Sequence, residues 1–253
     1  PSSDIANALE PSPLTQKGII VYGNIITGLV SMSNLVSSSG VIADDVTGVG
    51  TARDSPAGAS YGIDKAIVAY GQNGGLQNVS NLVSNSGVVA SDVSGVGTAR
   101  GALAAAEIAA GTAIFAYGYS SGYVSMSNLV NNVGVVASDV SGVGTARYGP
   151  GAAEYGTDKA IFAYGTTGSN VSLKNLVNSS GVVAADVTGV GTARHNVGAT
   201  SYGGDKAIFA YGNSGSAVSM SNLVSNVGVV GSDVTGVGTA RTLPAAAGYS
   251  SSA

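Results

Sequence analysis

The chain has no cysteine, no tryptophan and only one histidine, His195, in 253 residues. Without cysteine there is no disulfide, no zinc–thiolate centre and no thiol nucleophile, and the redox compartment stays open. A lone histidine leaves no cluster for a metal and no visible Ser-His-Asp set, so no cofactor and no metal are expected. Charge is scarce too: Asp, Glu, Lys and Arg make up 9% of residues, the net charge is −4 and the pI is near 4.7. Nucleic acid is therefore not an expected partner, because it demands clustered Lys and Arg on one face. No apolar run approaches the roughly 18 residues of a membrane-spanning helix, so no membrane insertion is expected. No signal peptide is readable. The chain opens on Pro1 rather than Met, so processing or excision is expected and a lost leader stays open.

What the chain does have is a repeat. The phrase GVGTAR ends at Arg53, Arg100, Arg147, Arg194 and Arg241, each 47 residues after the last. Asn34, Asn81, Asn128, Asn175 and Asn222, in SNLV or KNLV, keep the same spacing. Self-similarity at this period describes one array, residues 1–253 as a single domain, with 1–14 as an N-terminal extension. With 44% hydrophobic residues the array can bury a large core and is too apolar for disorder.

Each unit reads as four short strands with no helical period. In the unit from Tyr148 to Arg194, the small-residue run PGAAEYG is followed by a Thr-Asp-Lys turn. AIFAYG (160–165) then reads as a strand covered on both faces. A Gly/Ser/Thr/Asn loop leads to VSLKNLVN and, after a turn, to VVAADVTG. Four strands in 40–50 residues predict a β-propeller blade, and five units predict five blades. The innermost strands begin at Pro56, Leu103, Pro150, Val197 and Pro244, and are nearly all small, as a narrow axis requires. The N-terminal blade opens on strand two (Lys17 to Tyr22), and Pro244 to Tyr249 supplies a first strand alone. Ring closure is expected, with the C-terminal strand completing the N-terminal blade and removing free edges. A fragment of a longer array is the alternative.

The blade resembles a kelch-type unit: Arg147, GAAEYG, Thr157-Asp158-Lys159 and AIFAYG fall in the kelch order. Tyr164-Gly165 stands where kelch has a glycine pair, and the kelch outer-strand Trp is missing. The layout is also similar to that of tachylectin-type lectins. DKAIFAYG, SMSNLV and GVVASDVSGVGTAR resemble repeats of structural tail or virion proteins of marine bacteriophages, which implies a virion-associated role.

Polar residues that recur once per unit are expected to serve repeat geometry. Asp45, Asp92, Asp139, Asp186 and Asp233 each lie eight before Arg53, Arg100, Arg147, Arg194 and Arg241. They predict an ion-pair or capping network that locks one blade to the next; five equal ligand sites are the alternative. Tyr22, Tyr70, Tyr117, Tyr164 and Tyr211 are expected to pack between blades with satisfied hydroxyls. The Asp-Lys turns read as solvated hairpin connections, and His195 as an exposed loop residue. The acidic residues look dispersed rather than paired, so the two carboxylates of a glycosidase are not expected, and no enzyme is predicted.

Variation between units concentrates after the Tyr-Gly of strand two and after the Arg. In a four-stranded meander both loops emerge on one face, where a rigid scaffold displays its recognition loops. Their content is uncharged and suited to hydrogen bonding and aromatic stacking. The aromatic candidates are Tyr119, Tyr123 and Tyr148; the polar ones are Gln72, Asn73, Gln77, Asn170, His195, Asn196 and Asn213. The first expectation is a non-enzymatic module, extracellular or on a virion, binding glycans or a cell-surface protein through this face. The alternative is a structural virion component that docks on other virion proteins or forms a homo-oligomer.

Overall fold

A computed structural model describes residues 17–247. The expected N-terminal extension, and Gly248 and Tyr249 of the expected closing strand, lie outside these residues. The architecture is all-β: small antiparallel sheets follow one another in a series, one per repeat. The first unit holds β1 (Gly18–Ile25) and β2 (Gly28–Val36). The second holds β3 (Ala57–Tyr61), β4 (Lys65–Ala69) and β5 (Ser80–Val83); the third, β6 (Ala104–Ile108), β7 (Thr112–Ala116) and β8 (Ser127–Val130). β9 (Gly151–Tyr155), β10 (Lys159–Ala163) and β11 (Lys174–Val177) form the fourth, and β12 (Gly198–Tyr202), β13 (Lys206–Ala210) and β14 (Ser221–Val224) the fifth.

Each complete sheet has three regular strands, not the four expected. The fourth segment pairs with the third strand at only two points, for instance Val130 with Val136 and Ser127 with Val140. Between them the Asn128 side chain donates to the Ala137 carbonyl at 2.9 Å, in place of a backbone N–H. A side chain that imitates a peptide group offers the backbone an alternative to a ladder, and the same bond recurs at Asn81–Ala90, Asn175–Ala184 and Asn222–Gly231.

In the third and fourth units the middle strands β7 and β10 are buried on both faces and the first strands β6 and β9 alternate. Alternation suits one packed and one wetter face, while double burial suits a strand sandwiched between neighbouring sheets. The core lies between units: Phe115 packs on Tyr70, Phe162 on Tyr117 and Phe209 on Tyr164, with ring centroids 5.4–5.5 Å apart. Backbone bonds also join the units. Ala102 donates to Ser55, Gly149 to Ala102, Asn196 to Gly149 and Leu243 to Asn196, at 2.8–3.1 Å. Residues 244–247 continue past the last of these bonds without forming a strand, and β1 pairs with β2 alone.

A tyrosine with positive φ follows β4, β7, β10 and β13 (Tyr70, Tyr117, Tyr164 and Tyr211), and its counterpart Tyr22 sits at the register shift within β1, all at 60–65°. That backbone is costly for a bulky side chain, of order 1–3 kcal/mol. Recurring five times, it has a cause in what each ring then meets.

Candidate functional site

Each tyrosine ring lies under the guanidinium that ends its own unit. Arg53 sits 4.0 Å from the Tyr22 centroid, Arg100 4.1 Å from Tyr70, Arg147 3.8 Å from Tyr117 and Arg194 4.1 Å from Tyr164. The tyrosine hydroxyls donate to the carbonyls of Val49, Val96, Val143 and Val190. The arginine then crosses into the next unit: Arg53 Nη2 donates to Asn81 Oδ1 at 2.7 Å and to the Val68 carbonyl at 3.3 Å. Asp92, also in the next unit, accepts from Thr51 Oγ1 at 2.6 Å and from Asn81 Nδ2 at 2.8 Å. Arg100 lies 3.7 Å from Asp139. The aspartate that meets each arginine is thus the one in the following unit, not the one eight residues before it.

These nodes have a consistent electrostatic signature. Partial burial works against ionisation of Asp92, Asp139, Asp186 and Asp233, but donors from Thr and Asn and the nearby arginine overcome it and hold the carboxyls below their ordinary value. Burial also pulls the Arg100 and Arg147 guanidinium groups down, with no consequence at neutral pH for a group this basic.

The variable segments meet on one edge. Asp54 pairs with Gln72, Gly101 with Tyr119, Tyr148 with Thr166 and His195 with Asn213, so the stretch after each Arg lies beside the stretch after each Tyr-Gly. Tyr119 and Tyr123 are both exposed and stack edge-on at 6.1 Å. Tyr148 faces His195 at 6.4 Å. His195 is half-buried rather than exposed. It is tied to the preceding unit: its Nδ1 lies 2.7 Å from Asn170 Oδ1, while Asn170 Nδ2 donates to the Asn213 carbonyl at 3.0 Å. A carboxamide oxygen only accepts, so the proton sits on Nδ1, and burial pulls the imidazole below its ordinary pKa.

Tyr148, Asn170, His195 and Asn213 therefore form one cluster, and Tyr119 with Tyr123 a second. Gln72, Asn73 and Gln77 belong to a loop that satisfies itself, with Gln77 Nε2 donating to the Gly75 carbonyl. Asn196 leaves the edge: its φ of 53° and its N–H to Gly149 place it in the backbone ladder between units. The edge is a surface rather than a pocket. A cavity of about 350 Å³ lies elsewhere, as a cleft where Ile108, Leu129 and Asn131 of one unit meet Ser179 and Ser180 of the next.

Two partly buried carboxyls hold equivalent places in neighbouring units. Glu107 on β6 and Glu154 on β9 occupy the same register position of neighbouring first strands. Burial, then the charge of Glu107, pushes Glu154 up to about 7, and burial raises Glu107. The signal was readable, since LAAAE and PGAAE align at one repeat position. The threonines at the nodes were readable too, within GVGTAR. Lys174 was visible as the one K in KNLV; it is buried, donates to the Gly228 carbonyl of the next unit at 3.0 Å, and burial lowers its pKa. Among the described residues no group of three or more His, Cys, Asp or Glu is placed to hold a metal. Neither a protein-family model nor a curated protein matches the chain.

Proposed function

We propose that this chain is a non-enzymatic recognition module that binds a neutral glycan or an uncharged cell-surface protein patch through its variable edge. The exposed Tyr119–Tyr123 pair carries the reading: two rigid aromatic faces beside uncharged hydrogen-bonding loops suit the apolar and hydroxylated faces of a sugar. Repetition of the edge along the array lets weak sites add by multivalency. The resemblance to phage virion repeats supports display on a virion or outside a cell. On this reading the sheets are blades of a five-bladed propeller. The inner strand missing from the blade of β1 and β2 comes from residues 244 onward, of the same chain in a closed ring or of a second chain in an open stack.

A glycan array probed with the purified chain at high concentration tests the binding reading. A hit lost in Tyr119→Ala and Tyr123→Ala, with both variants folded by circular dichroism, is the expected result. A blank array, or a hit indifferent to both changes, removes it. The structural virion role is favoured by a separate observation, the apolar side chains Ile20, Ile42, Tyr202 and Leu223 exposed on the outer faces of the first and fifth units.

A further inference from the structure

Inside the array each unit seats on its predecessor at equivalent positions, and the seat of the fifth unit on the fourth shows the full set of contacts. Phe209 packs on Tyr164. Gly228 lies over Leu176 and Tyr155 so closely that a Cβ there would sit 2.9 Å from Leu176. Arg194 donates to Asn222 Oδ1 at 2.7 Å, and Thr192 Oγ1 to Asp233 at 2.7 Å.

Among the described residues nothing covers the same seat on the fifth unit. Tyr202 is 39% exposed, whereas its counterpart Tyr155 is 3% exposed, and Leu223 is 43% exposed. Arg241 stacks on Tyr211 at 3.6 Å and donates to the Thr239 carbonyl, yet it is exposed, whereas Arg194 is fully buried. The first unit presents the matching half. Ile20, at the position of Phe162, is 51% exposed against 0%, and Ile42, at the position of Val183, 58% against 8%. Asn34 Nδ2 donates to Asp45 at 2.8 Å at the surface. Its Oδ1, the atom that takes an arginine at Asn81, Asn128 and Asn222, has no partner among the described residues, a state it shares with Asn175 inside the array. No hydrogen bond among the described residues joins the first unit to the fifth.

We propose that the chain associates head to tail, the fifth unit of one copy seating on the first unit of a second copy through the interface that already joins its own units. Arg241 then donates to Asn34 of the second copy, Thr239 to its Asp45, Tyr211 packs on its Ile20, and its Gly40 turn covers Leu223 and Tyr202. The faces are complementary in charge as well as shape, with a cation on one and a carboxylate on the other. Because they are different faces, one junction leaves a free seat at each end, so assembly extends beyond a dimer. This deepens the structural reading. Binding at the variable edge does not depend on it, so the two readings fail separately.

Sedimentation of the whole chain across a wide concentration range is the test. The expected result is a mass that rises with concentration. Arg241→Glu and Ile20→Glu, both at exposed positions, each raise the midpoint concentration at least tenfold while leaving the circular dichroism spectrum unchanged. Mixed in equal amounts, the two variants stop at two copies, because each retains one intact face and the remaining pair sets Glu against Glu and Asp45. A mass fixed at one copy, or assembly indifferent to both variants, overturns the proposal. The absence of native cysteine permits a second measurement on Ser39→Cys/Ser225→Cys, whose interior counterparts Ser180 and Asn131 line a common cleft. A bismaleimide should give a ladder of linked copies. A product closed within single chains overturns the proposal in favour of a ring.

Discussion

Arg147 and Arg241 occupy one repeat position in two environments, so the same substitution at each weighs what the unit interface contributes. Arg147 is fully buried, lies 3.8 Å from the Tyr117 centroid, and donates to the Thr145 carbonyl at 3.1 Å and the Phe162 carbonyl at 3.4 Å. Arg147→Leu keeps apolar bulk but forfeits a desolvated cation–π contact of about 2 kcal/mol. It also leaves two carbonyls without this donor, one buried and one partly buried, at about 1 kcal/mol each. Release of a buried cation returns part of this, because charge inside a core carries its own desolvation cost. The net expectation is a loss of about 3 kcal/mol, or roughly 6–12 °C in Tm for a chain of this size. Arg241→Leu removes an exposed group and should cost less than about 1 kcal/mol. Both are read by thermal and urea unfolding at low protein concentration, where separate copies do not contribute. Equal losses for the two variants, or a loss below about 1 kcal/mol for Arg147→Leu, would refute the account of the interface.

Three further outcomes are expected. Glu154, raised to about 7, favours the protonated state more when folded than when unfolded, so its contribution is fully present below the ordinary glutamate pKa and declines as pH rises to about 7. After discounting for its partial exposure, Glu154→Gln should be the more stable form at pH 8 by on the order of 1 kcal/mol, with little difference near pH 4; unfolding curves at both pH values check it. The lowered carboxyls of Asp92, Asp139, Asp186 and Asp233 act in the opposite sense. Their stabilisation is complete above the ordinary aspartate pKa of about 4 and is lost as pH falls through the folded values, so an acid melt should be steeper for the native chain than for Asp139→Asn. Tyr164→Phe keeps the ring under Arg194 but removes the hydroxyl bond to the Val190 carbonyl, and should cost about 1 kcal/mol in urea unfolding.

The unit period, the all-β class and the doubly buried middle strand were legible because each is written in local composition: β-branched and aromatic residues between glycines, five times over. The fourth strand was not. VVAADVTG has the β-propensity of a strand, yet Asn175 Nδ2 takes the Ala184 carbonyl, and no scale of propensity registers a side chain that substitutes for a ladder. The network between units was expected, but which aspartate meets which arginine is not written in the spacing. Spacing within a repeat puts Asp139 eight residues before Arg147, but Arg100 of the preceding unit is the one that reaches it. In an array, residues at fixed positions meet across the period as readily as within it. The variable edge was legible as a meeting of two loops. It was less legible residue by residue, because Asn196 is drawn into the backbone ladder and His195 into a bond with Asn170.

A repeated residue therefore has no single role until its neighbours are known. Arg194 and Arg241 stack on equivalent tyrosines, at 4.1 and 3.6 Å, and each donates to the carbonyl of the threonine two residues before it. What separates them is the following unit, which supplies Asn222 and Asp233 to the first and nothing among the described residues to the second. The tyrosine at positive φ belongs to this logic. Its backbone cost recurs in every unit, and in the interior it is offset by a buried cation and a satisfied hydroxyl. At Tyr211 the ring and the hydroxyl bond to Val237 are in place, but no described residues cover them as the following unit does in the interior. The last unit thus carries the strain of the interface without its full burial, and a second copy seated there would supply what is missing.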